Sequence, residues 1–195
     1  MLNDVINIIT EELNQFIRLQ NNLTEKKVIA TTISSQNGSI AIKEENKILL
    51  TLVDINKETV VGNQREYIRT ENGGFRPKRR DLHLNLTILF SAYFNETNYL
   101  EALKYLSNVI SFFHAKPVFT TENTSRMANT SIQKLTFHLH HSDSNTKNNM
   151  WSNLGAKYMP SVLYKVSMAI FEDTTIRAEI PEIKDVNVDK EVSSS

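Results

Sequence analysis

The sequence predicts an α+β domain, a mainly antiparallel sheet with its helices packed mostly on one face. Three observations carry that prediction. Two stretches repeat apolar residues every three or four positions, as amphipathic helices do. Several others alternate apolar and polar residues, as half-buried strands do. The early strands also follow one another directly instead of alternating with helices. With 195 residues the chain has the length of one domain. Residues 1–177 are assigned to it and residues 178–195 to an extended C-terminal tail.

The first helix places Val5, Ile6, Ile9, Leu13, Phe16 and Ile17 on one stripe, with Asn3 or Asp4 as its N-cap and Glu11 and Glu12 on the solvated side. Residues 28–35 are β-branched and end at a turn signal, residues 46–56 form a second apolar strand, and residues 58–70 a third, more polar one. Residues 71–80, "ENGGFRPKRR", read as a loop. In the next strand Leu82, Leu84, Leu86, Ile88 and Phe90 face one way and His83, Asn85 and Thr87 the other. The period then lengthens: Leu100, Leu103, Leu106, Val109, Ile110 and Phe113 predict a second helix, stopped by Pro117.

A polar, threonine-rich connector follows from residue 118. Leu135, Phe137 and Leu139 then alternate with Thr136, His138 and His140 in another strand. A short helix sealed by Trp151 and ended by Gly155 leads through Pro160 into a last strand, with Val162, Tyr164, Val166, Met168 and Ile170 on one face. Beyond residue 172 the apolar residues are sparse, and the tail is too polar for a compact core.

Lysine plus arginine and aspartate plus glutamate both number 22, so no global field points to nucleic acid or an anionic membrane. The absence of cysteine excludes disulfides, thiolate nucleophiles and Cys-ligated metals. The first residues carry acidic groups where a secretory signal would be basic, so synthesis in the cytoplasm without a cleaved signal and without membrane insertion is expected.

His138 and His140 share a strand face at ~7 Å but lack a third ligand, because His141 points the other way and Asp143 lies in a turn. Metal-dependent catalysis by these histidines would require bound zinc. No serine stands in a nucleophile elbow, and no glycine-rich phosphate loop is present. No catalytic, cofactor-binding or metal-binding residue is therefore assigned. The local feature that stands out is cationic: Arg76, Lys78, Arg79 and Arg80 crowd one short segment. Guanidinium groups suit bidentate contact with carboxylates on a protein partner. Contact with nucleic acid through residues 76–80 is the alternative, without an RNA-recognition or helix-turn-helix signature to support it.

The stretches "VINIITEELNQFI", "LHLNLTILFSAYFNETNYLEALKYLSNVISFF", "PVFT" and above all "MWSNLGAKYMPSVLYKVSMAIFE" resemble the cap proteins of contractile injection systems, relatives of contractile phage tail terminators. The resemblance runs from about residue 2 to 172. It departs from a generic member in a short polar connector after "PVFT" and in lacking an appended C-terminal domain. It implies a tail-terminator-like fold and a structural role without catalytic residues. The implied partners are further copies in a ring, commonly hexameric, the distal end of the inner tube, and the last ring of sheath, in a particle that is released or retained. No nucleic acid is among them. The basic segment is expected to face the tube or a neighbouring subunit. The tail, with Ile180, Ile183, Val186 and Val188, is expected to reach the sheath and add a strand to a partner's sheet edge.

Overall fold

The computed structural model describes residues 1–35, 38–39, 41–58, 67–69, 75–77 and 81–171. Helix α1 (Leu2–Asn21) is followed by β1 (Val28–Ala30), β2 (Lys47–Lys57), β3 (Tyr67–Arg69), β4 (Phe75–Pro77) and β5 (Asp81–Tyr93). Then come α2 (Tyr99–Ala115), β6 (Val118–Thr120), β7 (Ile132–Leu139), α3 (Ser144–Asn153) and β8 (Ser161–Phe171). Six strands form one sheet in the order β1-β2-β5-β8-β7-β6, with only the β1–β2 pair parallel. The α+β class and the mainly antiparallel sheet are as expected.

The strict alternation of β5 and β8 places them at the centre. Leu86, Ile88 and Phe90 are fully buried beneath α1 and α2, and Tyr164, Val166 and Met168 lie beside them on the same face. Each such side chain contributes about 1.5–3 kcal/mol when removed from water. Phe113 of α2 is the hub of this layer. Its ring lies 4.4–6.4 Å from those of Phe90, Phe112, Phe119, Phe137 and Tyr164, so one side chain touches strands β5 to β8.

The opposite sheet face is covered by α3. Trp151 packs there with Ile33, Leu49, Leu89 and Leu163. Asp143 caps α3 by accepting from the Thr146 N–H, and a Schellman closure ends it: Ala156 N–H donates to Trp151 C=O and Gly155 N–H to Ser152 C=O. That closure requires the left-handed backbone seen at Gly155, φ +63°.

Several expectations are corrected. Asn3 and Asp4 lie inside α1, which starts at Leu2, so Asp4 acts on the helix dipole instead of capping. The first strand is only Val28–Ala30, because the chain turns away after Thr31 to bury Ile33 on the far face. Of the third strand only Tyr67–Arg69 is described. The segment taken as a loop contains β4, whose Phe75, Arg76 and Pro77 pair with Arg69, Ile68 and Tyr67. A ladder this short tolerates a proline at its end. The threonine-rich connector opens with an edge strand, β6, in place of irregular chain.

In α2 the aromatic residues claim the core. Ala102, Tyr105, Leu106, Val109, Phe112 and Phe113 are buried, which turns Leu100, Leu103 and Ile110 toward solvent at 80%, 37% and 38% exposure. Leu139, at the end of β7, is also exposed.

Gly155→Ala is expected to destabilise the domain by about 1–2 kcal/mol, from the left-handed backbone and from a Cβ that would sit 3.3 Å from Ser34 Oγ. A fall in the denaturation midpoint at unchanged m-value would show it, and an unchanged midpoint would refute it.

Candidate assembly interface

A sheet must satisfy or hide the main-chain groups along its outer strands. At one edge, Lys27 C=O and Thr31 N–H of the β1 segment bond to β2, so Val28 turns its main chain outward. The buried amide of Asn14, on α1, meets it there. Its Oδ1 accepts from Lys27 N–H and Val28 N–H, both at 2.9 Å, and its Nδ2 donates to Val28 C=O at 2.8 Å.

At the other edge Asn123 does the same for β6. Its Oδ1 accepts from Thr120 N–H at 3.0 Å and its Nδ2 donates to Val118 C=O at 2.9 Å. In β2, by contrast, β1 pairs only with Ile48, Leu49 and Leu50. Residues 52–57 have no strand alongside them on that side among the described residues.

Ion pairs tie the helices to this frame. Lys27 and Lys47 are nearly buried and share Glu25, at 2.7 Å and 3.4 Å, with Glu101 and Glu44 as outer partners. The hydrogen bond from Lys27 holds the Glu25 carboxyl below its usual range. Glu12 is not merely solvated on the outside of α1. It accepts from Lys116 at 3.1 Å and Arg126 at 3.2 Å, clamping α1 to the segments around β6. Glu11 pairs with Lys26.

The expected contact residues fall mostly outside the described part of the chain. Arg76 is placed by its backbone in β4, opposite Ile68. Lys78, Arg79, Arg80, Ile180, Ile183, Val186 and Val188 lie outside the described residues. His138 sits in β7 opposite Lys165, a cation where a metal would need a ligand, and His140 lies past the strand's end. Among the described residues no group of three or more acids or histidines is disposed to hold a metal. No described helix is long and apolar enough to cross a membrane. The surface features missed by sequence reasoning are the exposed apolar side of α2 and the uncovered part of β2.

Burial, with Glu101 and Glu25 nearby, pushes the Tyr105 hydroxyl up to about 12. An unfolded tyrosine loses its proton near pH 10, so the native state alone keeps it between pH 10 and 12, and stability falls as pH rises through that window. Replacing Tyr105→Phe should remove on the order of 2 kcal/mol of that fall, read from denaturant midpoints at pH 9 and pH 12. Equal falls in both proteins would refute it. Asn14→Ala strands three buried main-chain groups and is expected to cost about 2–4 kcal/mol. Urea denaturation measures this, and a loss below about 1 kcal/mol would contradict the role given to Asn14.

Comparison with known proteins gives consistent findings. A family model described as the Pvc16 N-terminal domain matches residues 4–185. No curated protein sequence matches. Two solved structures share the fold. One is the sheath/tube terminator of PVC, an extracellular contractile injection system, in its extended state. It matches with TM-score 0.63 at 12% identity, over 100% of this chain and 65% of that one. The other, the tube-terminating cap of the anti-feeding prophage, matches with TM-score 0.58 at 15% identity, over 96% of this chain and 61% of that one. The chain thus spans less than two thirds of either solved chain. Matched by the family model over most of its length, this chain belongs to the Pvc16 N-terminal domain family.

Proposed function

We propose that the protein is a structural cap, a tail terminator of a contractile injection system. Its copies form a ring, six-fold in this reading, that closes the distal end of the inner tube and meets the last ring of sheath. The observation that supports it most is the family match over residues 4–185, together with a fold shared with a tube terminator and a tube-terminating cap. The protein is made in the cytoplasm and travels on the particle it caps.

The architecture suits this role. A terminator binds one ring end and presents a face that does not template another ring, which requires heterologous contacts that close on themselves and no active site. A sheet whose outer strands are capped by Asn14 and Asn123 resists indiscriminate strand pairing. Arg76, Lys78, Arg79 and Arg80 are proposed as contacts to the tube end or to the adjacent subunit. Ile180, Ile183, Val186 and Val188 are the apolar positions of a strand-donating tail.

Particles assembled without the protein should have uncapped ends and sheaths of variable length in electron micrographs. Sheaths of uniform length in its absence would count decisively against a terminator. Replacing the four cations with glutamate should reduce incorporation at particle ends about tenfold or more. Undiminished incorporation, with nucleic-acid affinity lost instead, would favour a nucleic-acid contact at residues 76–80.

A further inference from the structure

We draw no further inference here: the strongest candidate, the outer face of α2 where Leu100, Leu103 and Ile110 turn toward solvent, carries none because nothing in the structure shows what covers it.

Discussion

The fold depends on how the outer main-chain groups of its sheet are satisfied. Asn14 reaches from the middle of α1 to take both outward groups of Val28 and the N–H of Lys27, so one side chain joins helix to sheet and also ends the sheet. The bonds form away from water, where an unpaired N–H or C=O is most costly. Asn123 ends the other side from a local turn, and its neighbour Thr124 adds a main-chain bond to Thr120. Stability and protection from edge-to-edge association thus come from the same few contacts.

Between these edges the sheet is held by an aromatic layer on one face and a smaller cluster on the other. Phe113 touches rings from four strands, so the pitch of α2 is set by that residue and its neighbour Phe112. The consequence is visible on the outer surface, where Leu100, Leu103 and Ile110 face solvent. Trp151 closes the far face, and the Schellman turn at Gly155 returns the chain to β8, where Pro160 C=O accepts from Ala92 N–H. The stretch around this corner is a structural joint between α3 and the sheet.

The sequence made some of this legible and hid the rest for physical reasons. The central strands β5 and β8 were readable because a strand buried on one face must alternate over many residues. The corner at Trp151 and Gly155 was readable because a left-handed cap demands glycine. The stripe of α2 was misread because adjacent phenylalanines both enter the core, which period counting alone does not reveal. Strands β4 and β6 are three residues each, too short to carry a period. Asn14 carries no signal in the period of the first helix, and only the fold shows the main chain it serves. The cationic segment and the tail stood out by composition, whereas the stretch of β2 beyond β1, uncovered among the described residues, is a property of pairing and leaves no mark in residue types.

The chain belongs to the Pvc16 N-terminal domain family, and the cap reading proposed for it is a question of assembly. The most direct measurement is an electron cryo-microscopy reconstruction of intact particle ends at a resolution that traces strands. The cap reading predicts one ring of this chain on the end of the tube, in contact with the last ring of sheath. A particle end without this chain would contradict it.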